Sequence, residues 1–298
     1  MANFVDLDFQ NTPRTIATAF VHGADGVTLV DPGPASCLTA LEQGLGQQGI
    51  ALADIRTLLL THIHLDHAGA TGSLVARFPR IQVFVHEIGA PHLVDPEKLL
   101  ASATRLHGDR MDALWGPFLP VPAGRVHALT GGERIGAGGR LRVEYTPGHA
   151  KHHVSYLDEG SGTAYVGDTG GVCVIGDYLI APTPPPDIDL DAWQRSLDII
   201  DAWNADVLFL THFGPAGPAH ERLRLMRTRL NETAELAKES FGSAGTDEER
   251  RRWFVEEMRR DARRSLAEAD ARAIETAAPF DQIWQGLARY WRKRGEVS

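Results

Sequence analysis

Four side chains able to bind a metal ion, His62, His64, Asp66 and His67, fall within six consecutive positions of the stretch LLLTHIHLDHAG, residues 58–69. Leu58, Leu59 and Leu60 read as the end of a buried strand, because a short apolar run bounded by loop residues carries that signal. Side chains two apart on an extended chain point to the same side, so His62 and His64 can grip one ion. Asp66 and His67 follow in the turn and could face a second ion beside the first. Ala68, Gly69 and Ala70 are small and let a helix start close to the site. Three histidines and an aspartate at this spacing follow the logic of metal ligation rather than that of an ordinary polar loop.

Three further loops end apolar strands with ligating side chains: Tyr145-Thr146-Pro147-Gly148-His149, Val166-Gly167-Asp168-Thr169 and Leu210-Thr211-His212-Phe213-Gly214-Pro215. Each alone is weak evidence. Their shared form, a strand ending in a ligand beside glycine or proline, is what a metal site on the rim of a sheet requires.

The set resembles the metallo-β-lactamase superfamily, in particular its dinuclear, glyoxalase-II-like branch. THIHLDHAG carries the H-x-H-x-D-H motif, PGHA the third-histidine loop, GDT the bridging aspartate and THFGP the last histidine, in the expected order over residues 15–220. The resemblance implies an α/β fold, an αββα sandwich with two metal ions at one edge. It also implies that His62, His64 and His149 hold the first ion, that Asp66, His67 and His212 hold the second, and that Asp168 bridges them. Asp31, at the D-x-G position, looks like a residue that fixes the ligand loop by hydrogen bonds.

Carboxylate and imidazole suit zinc first, with iron or manganese as alternatives. Two divalent ions about 3.5–4 Å apart share a water and lower its pKa towards ~7. The resulting hydroxide attacks a carbonyl or phosphoryl centre, and a metal stabilises the developing oxyanion. Asp66 is the catalytic candidate, placed to orient the nucleophile and help protonate the leaving group. No serine or cysteine nucleophile is needed.

The expected function is hydrolysis of an ester, thioester, lactone or related small-molecule substrate, with β-lactamase-like and phosphotriesterase activities as alternatives. Where glutathione-thioester hydrolases carry a GCGKF-like stretch, this chain has GGVCVIGDYLIAPTPPPD. RNA-processing relatives insert a long domain where only 44 positions separate Asp168 from His212. Flavodiiron relatives replace the second histidine by glutamate, but His64 stands here. A mononuclear iron dioxygenase of the persulfide type shares several ligands and is the redox alternative. A non-catalytic binding protein should have lost ligands, and none is missing. His152 and His153 read as structural or outer-shell residues. Tyr178 either hydrogen-bonds a substrate carbonyl or is buried.

The elements that must position these loops alternate. Strands are expected at residues 15–21, 27–30, 55–61 and 82–86, with helices at 36–48 and 71–78 between them. Strand–helix alternation favours a layered α/β architecture. Residues 89–123 break it, with Leu99, Leu100, Ala103, Leu106 and Met111 on an amphipathic helix before the Pro-rich WGPFLPVP. Strands resume at 140–145, 154–157 and 163–166. A polyproline-like connector follows at 181–187, then a helix capped by Asp189 or Asp191 and a last buried strand at 207–210.

From Glu221 three helices are expected. The second opens on a Thr246/Glu249 capping box and runs with Phe254, Met258, Ala262, Leu266 and Ala269 on one face; the third follows Pro279. Residues 1–220 thus read as the catalytic domain and 221–298 as a helical region packing on it. Trp115 and Phe118 in residues 89–123 and the C-terminal helices are the candidate pocket walls. The bland alternative is that they complete the core or build a homodimer contact.

Composition narrows the class. With 43% hydrophobic and 23% charged residues among 298, the chain can bury a sizeable core. Cys37 and Cys173 exclude a disulfide framework and fit a reducing cytoplasm. The N-terminus carries no signal-peptide pattern, and no run is long and apolar enough to span a membrane. Residues 221–298 hold 17 Lys+Arg against 15 Asp+Glu, which leaves 13 against 24 in the first 220. So acidic a catalytic part is a poor nucleic-acid surface.

Overall fold

A computed structural model of the chain describes residues 3–242 and 245–297. Six strands form a first sheet in sequence order: β1 (Asn3–Asp6), β2 (Ala17–Gly23), β3 (Gly26–Val30), β4 (Ile55–Leu59), β5 (Gln82–His86) and β6 (Val126–Leu129). The strands β3 to β6 are parallel, and β1 to β3 antiparallel. A second sheet runs in the order β12-β11-β10-β9-β8-β7, with β7 (Arg134–Ile135), β8 (Leu141–Tyr145), β9 (Val154–Asp158), β10 (Thr163–Tyr165), β11 (Val207–Leu210) and β12 (Gly214–Ala216).

The period of two along each strand divides the core. Leu58 and Leu60 face one cluster and Leu59 another; Leu208 and Leu210 likewise turn away from Phe209. The middle cluster joins Val30 and Leu59 of the first sheet to Val143, Tyr156, Tyr165 and Phe209 of the second. Helices cover the outer faces. Against the first sheet lie α1 (Leu38–Gln47) and α3 (Thr71–Arg77), through Leu41, Leu45, Leu74 and Val75. A one-turn α2 (Leu65–Ala68) precedes α3. Against the second sheet lie α7 (Leu190–Asp201), α8 (Ala219–Glu239), α9 (Asp247–Ser265), α10 (Glu268–Ala277) and α11 (Phe280–Lys293), which share one continuous cluster with it. The layers therefore run helix, sheet, sheet, helix, the expected αββα sandwich with a helical C-terminal part.

Between β5 and β6 the chain forms three short helices rather than one: α4 (Ala90–Val94), α5 (Glu97–His107) and α6 (Met111–Trp115). Met111 therefore starts a separate helix. Asp189 is the residue that caps α7, accepting from the Ala192 amide at 2.9 Å. The Thr246/Glu249 capping box forms, with Thr246 N–H donating to Glu249 Oε2 at 2.8 Å.

The second expected C-terminal helix is in fact two. Leu266 is extended (φ −127°, ψ 151°), and α10 folds back so that Arg259 pairs with Glu275 at 2.7 Å. Sixteen residues of unbroken helix would hold those side chains about 24 Å apart.

Candidate metal centre

The loops with the candidate ligands leave the C-terminal ends of their strands at one edge of the sandwich. Hydrogen bonds between the sheets hold that edge together: Val154 N–H to Thr61 O at 2.8 Å, Ala17 N–H to Thr211 O at 2.8 Å, and Tyr156 Oη to Leu60 O at 2.7 Å. The residues 62–67 turn out of β4 through α2, and His149 follows β8. Gly148 before it lies at φ +140° against α7, where a Cβ would come within 2.4 Å of Trp193. Asp168 and His212 follow β10 and β11, parallel neighbours in the second sheet.

All seven side chains singled out in the sequence converge, in two groups. One atom each of His62, His64, His149 and Asp168 lie within 4.8 Å of one another, as do one atom each of Asp66, His67 and His212. Asp168 belongs to both neighbourhoods. Its Oδ2 is 3.3 Å from His149 Nε2, while its Oδ1 is 3.2 Å from His67 Nε2 and 3.5 Å from His212 Nε2. His64 and Asp66 are partly exposed and the other five are buried, so the centre opens to solvent on their side.

The outer nitrogen of each ring decides what the inner one can do. His67 Nδ1 donates to Asp31 Oδ2 at 2.8 Å, His149 Nδ1 to Pro182 O at 2.8 Å, and His212 Nδ1 to Thr15 O at 2.6 Å. Thr61 Oγ1 gives its single proton to Asp31 Oδ2 at 2.7 Å, so its 3.1 Å contact with His62 Nδ1 is a bond that His62 donates. In all four rings the outer N–H is committed, so the inward Nε2 is the nitrogen left to take a cation or a proton. His62 Nε2 and His149 Nε2 both stand 2.9 Å from His64 Nδ1. Converging lone pairs and two carboxylates make a cradle with acceptors and almost no donors, which fits a cation. His67 Nε2, His212 Nε2 and Asp168 Oδ1, all buried, find no hydrogen-bond partner among the described residues.

The electrostatics agree. Burial and the neighbouring imidazoles push His62 well down, and burial and His149 bring His64 to about 3. Burial also pushes His67 and His212 down, but the carboxylates of Asp168 and Asp66 outweigh it and raise both. Asp168 stays well below the usual carboxylate range, because His67, His149 and His212 overcome the cost of its burial. Positive charge is favoured between the two groups, and a divalent ion supplies it as a proton does.

Asp31 is the hub. Its Oδ1 accepts from the Thr61 amide at 2.8 Å, and its Oδ2 accepts from Thr61 Oγ1, Thr211 Oγ1 and His67 Nδ1. The two threonines went unnoticed in the sequence, although a Leu-Thr-His triplet in both ligand loops was a signal for them.

His153 lies buried beside Thr146 and Thr169 with its ring stacked 5.2 Å from His62, outside both groups. Tyr178 is buried and donates to Asp261 Oδ2 at 2.9 Å, which settles it as structural. Trp115 stacks on Phe9 at 5.5 Å and meets the edge of His107 at 5.1 Å; with Phe118 it is partly buried against the core beside the first sheet.

The family model described as the metallo-beta-lactamase superfamily matches residues 11–212. The chain belongs to the metallo-beta-lactamase superfamily. The metallo-beta-lactamase fold-containing protein ST1585 of Sulfurisphaera tokodaii is 27% identical over 77% of this chain and 85% of its own. A crystal structure of ST1585 covers 96% of this chain and 98% of that one with a TM-score of 0.68, at 22% identity. A hydroxyacylglutathione hydrolase of a Synechococcus strain is 28% identical, spanning half of this chain but only 46% of that enzyme. TTHA1623, whose crystal structure is described as a di-iron-bound form, is 26% identical with a TM-score of 0.51, over 69% of this chain and 91% of that one. The superfamily match ends at His212, so it takes in every residue of the centre and leaves α8 to α11 outside it.

Proposed function

We propose that this superfamily member is a metal-dependent hydrolase that holds two divalent ions and acts on an ester, thioester, lactone or related small molecule. His62, His64 and His149 form one set of ligands, Asp66, His67 and His212 the other, and Asp168 serves both. The observation that carries this reading is the division of the Asp168 carboxylate, one oxygen turned to each group. The likeness to TTHA1623 and to the hydroxyacylglutathione hydrolases supports it. Zinc suits imidazole and carboxylate best, and iron or manganese remain compatible.

Divalent ions in such a site supply Lewis acidity and an activated water at neutral pH. The chain supplies the rest. The outer hydrogen bonds of His62, His67, His149 and His212 fix each ring's tautomer and aim. Asp66 Oδ2 lies 3.3 Å from His212 Nε2, and its partly exposed carboxylate can accept a proton from a water and orient it. Residues 1–220 carry this chemistry, and residues 221–298 form the helical region packed on it. Among the described residues no helix is long and apolar enough to cross a membrane. Cys37 and Cys173 are free and buried, which supports the reducing cytoplasm as the compartment.

Full reconstitution with Zn2+ is expected to give about two ions per chain, measured by elemental analysis together with turnover on a panel of thioesters, lactones, β-lactams and phosphoesters. One ion at most would sink the two-ion assignment, and one iron with oxygen uptake would favour the dioxygenase.

Substrate choice must come from the walls. Residues 89–123 are one candidate wall: burial lowers His107 at the end of α5, and the charges of Asp66 and of Asp281 in the first turn of α11 oppose it. Trp115→Ala or Phe118→Ala is expected to raise KM or reorder the substrates while metal content stays the same. Parental kinetics for both variants across the panel would remove this segment from recognition.

A further inference from the structure

The chain between the Asp168 loop and α7, Ala181-Pro182-Thr183-Pro184-Pro185-Pro186, lies as a strap between the metal centre and α11. On its inner side the Pro182 carbonyl accepts the Nδ1–H of His149 at 2.8 Å. On its outer side Thr183, fully buried, donates from Oγ1 to the Ile283 carbonyl at 3.2 Å. Gly286 presses on the same residue: a Cβ there would stand 1.9 Å from the Thr183 carbonyl oxygen and 3.0 Å from the Pro184 carbonyl carbon. Arg289 Nε reaches Pro186 O at 3.3 Å. Four of the six strap residues, Pro182, Pro184, Pro185 and Pro186, lack an amide proton to anchor the chain, so its position depends on what packs against it. The ring of Trp193 meets His149 edge-on at 5.6 Å, which restrains the ring but does not choose its tautomer.

We infer that α11 is a positioning element for His149, acting through the contact of Gly286 and Ile283 with Thr183 and the adjoining Pro182 carbonyl. The inference rests on the metal-centre reading above. Pro182 and Thr183 share a peptide unit, so a side chain at position 286 that displaces Thr183 also displaces the acceptor of His149 Nδ1–H. His149 is then free to rotate or change tautomer, and its Nε2 is no longer held toward His64 and Asp168. The C-terminal helices thereby tune a ligand 137 positions earlier in the chain than Gly286.

The test is a Co2+ titration of the metal-depleted full-length chain, read by visible absorption and by stoichiometry, on the parent and four variants. Gly286→Ala moves the strap, and Thr183→Val removes the hydroxyl at constant shape. Thr183→Ser restores it. Trp291→Phe removes a different bond of α11, the one from Trp291 Nε1 to Ala234 O at 2.9 Å, away from the strap. Gly286→Ala and Thr183→Val are expected to weaken one of the two Co2+ binding steps about 10- to 100-fold and to change the absorption bands, with Thr183→Ser and Trp291→Phe within about twofold of the parent. If Gly286→Ala does not fold, Thr183→Val decides. Unchanged constants and spectra in both strap variants overturn the inference, and so does an equal loss in Trp291→Phe. A parent that binds no Co2+ overturns the metal-centre reading itself, and this inference with it.

Discussion

Asp168→Ala is expected to lower metal content from about two ions per chain to one or fewer, and hydrolysis by at least about 100-fold. The carboxylate stands between the two groups, with Oδ2 beside His149 and Oδ1 beside His67 and His212. Removing it also takes away the negative charge that favours positive charge on those rings. Metal analysis and turnover on the same preparation check the result. Near-normal turnover in Asp168→Ala would take the residue out of the centre.

Asp31→Asn should be nearly as damaging, by a different route. Four donors converge on the buried carboxylate: the Thr61 amide, the hydroxyls of Thr61 and Thr211, and His67 Nδ1–H. An amide of the same shape has one oxygen, so its NH2 must face at least one of those donors. Breaking a buried charged network in this way costs about 3–5 kcal/mol. His67 also loses the acceptor that fixes its tautomer. The expected result is a lower urea midpoint for the metal-depleted chain together with weaker metal uptake. A variant with the parent's midpoint would show that Asp31 does not carry the load this geometry assigns to it.

How much of this was legible in the sequence depended on distance along the chain. His62, His64, Asp66 and His67 sit within one strand end and one turn, where local geometry alone brings side chains together. The end of β4 at Leu58 and Leu59 was readable because a buried strand needs an unbroken apolar run. β6 was not, because its His127 lies on an exposed edge and interrupts the apolar pattern, and β7 is only two residues long. β1 and β12 also escaped notice. They are four and three residues long, and their identity comes from pairing with β2 and β11. The break at Leu266 left no glycine or proline to mark it; the fold-back buries Ala273 and Ile274 of α10 in the core, with Arg259 paired to Glu275 beside them.

Residue types and order by themselves determined which loops carry the candidate ligands, that those loops end strands, and that the strands alternate with helices. Tertiary structure alone decided which ring nitrogen each histidine offers. The acceptor for His149 lies 33 positions away at Pro182, that for His67 lies 36 away at Asp31, and that for His212 lies 197 away at Thr15. Imidazole can present either nitrogen, and the hydrogen bond made by the other one makes the choice. A backbone carbonyl can be that partner whatever side chain its residue carries, so its position becomes visible only when the two sheets are packed together.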